Sequence, residues 1–108
     1  MKRFCLILAI SLFFNLPCFA ETEMQRTNAM MVECIQNGLC TEANAQMQEV
    51  YVGEYVWKVS NFRDKENIAR FFMAYTKARN SNAGFVDIKS STSGRKIASY
   101  NVFSGYKE

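Results

Sequence analysis

Residues 49–59 read EVYVGEYVWKV, and whether they form helix or strand decides the fold. Val, Tyr and Trp favour strand on propensity. Between Thr41 and Ser60, however, there is no turn signal, and an unbroken strand of that length would span about 65 Å, too long for a small domain. Met47, Val50, Tyr51, Tyr55, Val59 and Phe62 recur at steps of three or four, the period of a helix. The spacing therefore predicts a helix over 42–60, capped by Thr41, with Glu42 near the positive end of its dipole. A helix that switches to a strand near Glu49 is the alternative.

Upstream, Met24, Met31 and Ile35 lie at near-helical spacing, which predicts a first helix over 22–36 that ends at Asn37-Gly38. Downstream, Asn61 to Asp64 breaks the pattern, and Asp64 can cap a third helix over 64–79. Ile68, Phe71, Phe72, Tyr75 and Ala78 form a single apolar stripe on it, with Phe71, Phe72 and Tyr75 as core. After "NSNAG" the period falls to two. Val86 and Ile88 alternate with Asp87 and Lys89, and Ala98, Tyr100 and Val102 alternate with Ser99 and Asn101. A three-residue loop, Thr92-Ser93-Gly94 with Gly94 left-handed, sets Ile88 opposite Ala98 and Val86 opposite Tyr100, so the apolar residues share a face. The expected hairpin covers 85–103 and packs on the third helix, since two strands alone are marginal in water. The fold class expected is α+β, one small domain over 21–108, with three helices followed by a C-terminal β-hairpin and one short-range disulfide.

The disulfide depends on where the chain resides. Met1-Lys2-Arg3, an apolar run from Phe4 to Phe14 and a small residue, Ala20, before a polar segment make the three parts of a secretory signal peptide over 1–20. The apolar run is shorter than the roughly 20 residues of a bilayer-spanning helix, and Pro17 interrupts its end. Cys18 does not stand in a lipobox, because Asn15 and Pro17 occupy the places of the Leu and the small residue. A periplasmic or secreted domain then keeps only Cys34 and Cys40, in "CIQNGLC". Zinc wants four ligands and the chain has no His. A redox pair usually has Cys-x-x-Cys spacing. An oxidised staple remains, worth about 2 kcal/mol in the chain-entropy model.

Catalysis finds few candidates. There is no His, no free thiol is expected in the mature domain, and the five glycines are scattered rather than gathered in a phosphate loop. Ser90, Ser91, Ser93 and Lys96 could make a Ser-Lys pair, but they also make an ordinary polar hairpin tip. No enzyme, metal or cofactor is expected. Two surfaces exceed what a bare fold requires. From Glu21 to Ser60 there are two basic and six acidic residues, and from Asn61 to Glu108 nine basic and four acidic, so the halves carry about −4 and +5. Either the halves neutralise each other, or Arg63, Lys65, Arg70, Lys77 and Arg79, with Lys89, Arg95 and Lys96, meet an acidic protein or an anionic envelope surface. The second surface is Tyr51, Tyr55 and Trp57, aromatics of the kind enriched in binding hot spots. Nucleic acid is not expected as a partner of an exported chain with no binding motif.

The stretch CIQNGLCTEANAQMQEVY, residues 34–51, resembles the periplasmic antiholins of T-even phages, which also join a Cys-x5-Cys pair to a helix. The matching places are Cys34, Cys40, Glu42, Ala45, Met47 and Tyr51, under a fifth of the chain. Those proteins end near this helix, whereas here the chain continues. The function expected is binding without turnover, as an inhibitor or immunity-type partner of another envelope macromolecule. A structural accessory of a secretion, conjugation or pilus assembly is the alternative, and the resemblance implies an antiholin as a third reading.

Overall fold

The computed structural model describes residues 23–108, so the leader expected at 1–20 lies outside the described residues. The chain runs through α1 (Glu23–Gln36), β1 (Cys40–Asn44), β2 (Glu49–Val52), α2 (Glu54–Val59), α3 (Phe62–Arg79), β3 (Phe85–Ser90), β4 (Lys96–Asn101) and β5 (Gly105–Lys107). The strands make one mixed sheet in the order β1-β2-β3-β4-β5. Only the central pair, β2 and β3, is parallel. A parallel pair needs a long crossover, and α2 with α3 supplies it. The domain is therefore α+β, but strands lie between its helices instead of following them.

The helix expected over 42–60 is replaced by a hairpin and one short helix. Asn44 makes a turn that contains no Gly or Pro: its Oδ1 accepts the Met47 N–H at 3.0 Å, and Gln48 N–H donates to the Ala45 carbonyl at 3.2 Å. Gln48 adopts a left-handed φ of 58°, normally the place of Gly or Asn. β2 then alternates, with Val50 and Val52 fully buried and Tyr51 on the opposite face. Gly53 ends the strand and opens α2, its N–H donating to Leu39 (2.9 Å) and its carbonyl accepting from Trp57 (3.0 Å). The alternative, a helix that switches to a strand near Glu49, has the strand in place, since β2 begins at Glu49, but β1 and a turn stand where its helix is expected.

The other elements lie close to expectation. α1 ends in a Schellman closure, with Leu39 N–H donating to Cys34 and Gly38 N–H to Ile35 while Gly38 takes a φ of 82°. That reversal brings Cys34 and Cys40 to a Cα separation of 5.4 Å, and the two are disulfide-bonded. α3 begins at Phe62, two residues early, because Asn61 rather than Asp64 is the cap: its Oδ1 accepts the Asp64 N–H at 2.8 Å. β3 and β4 pair with Ile88 opposite Ala98 and Val86 opposite Tyr100. Nearer the tip, a bulge shifts the register so that Lys89 faces Lys96 and Ser90 N–H reaches the Arg95 carbonyl. The loop is therefore four residues, Ser91–Gly94, with Gly94 at φ 75°. The hairpin also continues into β5, which the alternation did not foretell.

α1 packs on α3, and α3 lies across β3, β4 and β5. Between helices and sheet sit Val50, Val52, Val86, Ile88 and Ala98 from the strands, with Trp57, Ala69, Phe72 and Met73 from the helices. Phe72 is fully buried, whereas Phe71 and Tyr75 are half-buried at the border of this core. Thr27 and Thr76 are buried polar groups, and each returns its hydroxyl to a carbonyl one turn back, Glu23 and Phe72.

Candidate functional site

The aromatic trio expected on one surface is dispersed by the strand-to-helix switch at Gly53. Tyr51 stands on the sheet face away from the helices and donates its hydroxyl to Glu49 at 3.2 Å. Lys89 donates to the other oxygen of the same carboxylate at 2.6 Å. Trp57 is only 2% exposed; it stacks on Phe72 and tilts against Tyr106 at centroid distances of 6.2 and 6.3 Å. Its Nε1 is buried with no hydrogen-bond acceptor among the described residues. Only Tyr55 projects outward, at 77% exposure.

The basic residues separate into two groups. Arg79 is a structural tie: it lies over the Tyr75 ring at 3.7 Å and donates to the Tyr75 and Met24 carbonyls and to Thr27 Oγ1, joining α3 to α1. Lys65 pairs with Glu108, Lys89 with Glu49 and Lys96 with Asp87. Lys77 is exposed and reaches the Ser81 and Ala83 carbonyls just past its helix. Arg63 and Arg70 form no ion pair among the described residues, although Glu66 sits one turn from each. Positions 63, 67, 70, 74 and 77 recur at helical spacing and make the outward face of α3, the complement of its buried Ala69, Phe72, Met73 and Thr76. Of the ion pairs among the described residues, only Glu49–Lys89 joins the acidic half to the basic half.

The serine-rich tip is organised by Ser90, which is fully buried. Its Oγ donates to Glu54 at 2.6 Å and accepts the N–H groups of Thr92 and Ser93, each at 3.2 Å. The hydroxyl thus spends its proton and both lone pairs on holding the tip against α2. Glu54 is kept below the usual carboxylate range first by that hydroxyl and then by Lys58. Lys96 points to Asp87 rather than to a serine. Among the described residues, no three His, Cys, Asp or Glu side chains gather to hold a metal ion. No helix among them is long and apolar enough to cross a membrane.

Three exposed apolar residues at the α2–α3 corner belong to no expected site as a group. Tyr55, Val59 and Phe62 are 77%, 63% and 60% exposed. Phe62 lies edge-on to Tyr106 at 5.4 Å. Beneath it, burial and then the Glu108 carboxylate push the Tyr106 phenol well above its ordinary range, while Lys65 and Tyr106 hold Glu108 down. The corner could have been found had Gly53 been read as a break, because a six-residue helix that buries Trp57 must turn Tyr55 and Val59 outward. Phe103 is a second omission. It is 94% exposed on the β4–β5 turn, where Asn101 Oδ1 accepts its N–H at 2.8 Å.

No family model, curated protein or solved structure matches the chain. The resemblance to antiholins implies a helix after the cysteine pair, and that helix is absent: Glu42, Ala45, Met47 and Tyr51 lie on the β1–β2 hairpin.

Proposed function

We propose that this is an exported binding protein without turnover, an inhibitor or immunity-type partner that docks on another envelope macromolecule through the outward face of α3. The observation that carries the reading is the pair Arg63 and Arg70, two turns apart on one continuous helix, exposed and without carboxylate partners among the described residues. Lys77 extends the same row. A cationic row on a rigid element favours an acidic protein surface, steering encounter and fixing register once docked. The leader-like residues 1–20 and the Cys34–Cys40 bond support an oxidising compartment outside the cytoplasm.

Crosslinking from periplasmic extract tests the reading. An inhibitor captures a single toxin, holin or hydrolase, whereas recovery of secretion or pilus machinery assigns the accessory class. Arg63→Glu with Arg70→Glu should abolish capture at unchanged thermal stability; undiminished capture by that variant removes the α3 face from the interface. Intact mass of the exported protein should begin at Glu21, and a mass that retains residues 1–20 defeats the export claim.

A further inference from the structure

The corner formed by α2 and the start of α3 differs from the α3 row in carrying apolar side chains, and its shape and charge suit another kind of surface. Tyr55 and Val59 stand one turn apart on α2, opposite the buried Trp57, and Phe62 follows across the Ser60-Asn61 break. All three are well exposed on either side of that break. The Tyr55 hydroxyl makes no hydrogen bond to any described residue, so its polar tip is left for solvent or a headgroup. Lys58 and Arg95 both act on Glu54, the residue before Tyr55. Lys58 lies between Tyr55 and Val59 in sequence, Arg63 follows Phe62, and Arg95 is placed by the bond from Ser90 N–H to its carbonyl, with Ser90 itself fastened to Glu54 of α2.

The carboxylates at this end are largely engaged. Glu54 is bonded by Ser90 and Lys58, and Glu108 by Lys65 and Tyr106, which leaves Asp64 and Glu66 in the first two turns of α3. An exposed cluster of Tyr, Val and Phe with long cationic side chains nearby is what an interface of acyl chains and anionic headgroups accepts, with aromatics at headgroup depth and Lys or Arg reaching the phosphates. A protein partner would instead have to offer a matching concavity.

We propose that the α2–α3 corner seats on an anionic lipid bilayer surface, with Tyr55, Val59 and Phe62 entering the headgroup region and Lys58 and Arg95 meeting lipid phosphates. The inference rests on reading the domain as an envelope binding protein, and it would hold the domain beside a membrane-associated target with α3 free for docking. Two signals, apolar insertion and charge, are needed because neither alone gives stable surface binding.

Flotation of the folded, disulfide-bonded protein with vesicles tests it. Vesicles of phosphatidylglycerol and phosphatidylcholine in equal parts should carry the protein upward, and phosphatidylcholine alone should carry roughly ten-fold less. Added salt should reduce the difference. Tyr55→Ser with Val59→Ser, both at highly exposed positions, should lower binding roughly ten-fold with an unchanged melting temperature. Phe62→Ser serves as a second variant, checked by Trp57 fluorescence because Phe62 touches Tyr106. No flotation with the anionic vesicles, or equal flotation of the double serine variant, overturns the proposal. So does a result in which Tyr55→Ser with Val59→Ser abolishes protein capture while vesicles bind neither form. The two readings separate cleanly: absent flotation with capture still lost in Arg63→Glu with Arg70→Glu removes the lipid contact alone, and flotation with capture unaffected by that pair removes the α3 interface alone.

Discussion

Two antiparallel hairpins meet along the parallel seam of β2 and β3, and each is closed by different chemistry. The β1–β2 turn has no glycine. It places Gln48 in the left-handed region, and the Gln48 Oε1 is buried without a donor among the described residues. Its open end is held from outside, by the Cys34–Cys40 bond to α1 and by Gly53 N–H on the Leu39 carbonyl. The β3–β4 tip is closed mainly from within: Gly94 takes the left-handed place without penalty, and Ser90 accepts two backbone N–H groups of the tip while donating to Glu54 of α2. One hairpin is thus locally self-consistent, while the other carries local strain and is kept in register by a covalent bond and by packing. Stability should respond differently at the two sites.

The largest effect should come from a substitution that spares neither hairpin. Phe72 is fully buried in the cluster that includes Val50 and Val52 of β2 and Val86 and Ile88 of β3. Phe72→Ala should cost about 3 to 5 kcal/mol in denaturant unfolding, with all probes changing together. A variant that melts in two steps would show that the hairpins are separate cooperative units.

Removing the staple should distinguish the two hairpins. Cys34→Ser with Cys40→Ser should cost about 2 kcal/mol, the entropy returned to the unfolded chain. Amide exchange in β1 should quicken well beyond that in β3 and β4, because only the first hairpin depends on the bond. Uniform acceleration across the sheet would mean that the cross-link supports the whole domain equally.

That asymmetry also explains what could be read from the residues. β3 and β4 were legible because alternation is clean on both sides of a glycine, and the strand register follows from keeping Val86, Ile88, Ala98 and Tyr100 on one face. β1 and β2 were not, because Asn44 turns the chain without Gly or Pro. The three-and-four spacing of Met47, Val50, Tyr51, Tyr55, Val59 and Phe62 crosses a turn, two sheet faces and a corner, so it is coincidental. Twenty residues are too many for one long strand in so small a domain, but not for two short ones. α3 was legible in stripe and length, and its outward Arg63 and Arg70 follow from the same stripe. Trp57 is buried rather than on a surface because Gly53 breaks the expected helix, and Phe62 opens α3 instead of continuing the run before it. The bonds that engage Arg79 with Thr27 and Met24 span more than fifty residues and leave no local mark.

A reciprocal pair of substitutions at the turns sharpens the contrast. At Gly94 an added Cβ meets nothing within 4 Å, so Gly94→Ala should cost about 1 kcal/mol from backbone conformation alone. Gln48→Gly should run the other way and stabilise by up to about 1 kcal/mol, since it relieves the left-handed strain and removes the unsatisfied oxygen. Thermal unfolding of both variants checks the signs. Equal losses at the two positions would mean that Gln48 makes compensating contacts, and the turns would then be alike.

The smallest effect belongs to the seam itself, where Glu49 of β2 meets Lys89 of β3 on the uncovered sheet face. The hydrogen bond from Lys89 leads in holding the Glu49 carboxyl below its ordinary value of 4.5, the Tyr51 hydroxyl adds to it, and partial burial opposes both. A carboxyl with a lowered folded value binds its proton less readily folded than unfolded. Its contribution is therefore complete above 4.5 and is lost as pH falls through the lower folded value. Glu54 and Glu108 shift in the same direction, so the whole protein should weaken in acid, and the share of Glu49 is read as a difference. Melting temperatures of the parent and Glu49→Gln should differ most near neutral pH and converge in acid, with the gap narrowed by salt because the pair is partly exposed. Since the pair bridges the strands rather than closing a turn, the substitution should quicken exchange in β2 and β3 alike. Acceleration confined to β1 and β2 would place Glu49 in the closure of the first hairpin, and the division between an externally held hairpin and a self-closed one would then run through the seam instead of beside it.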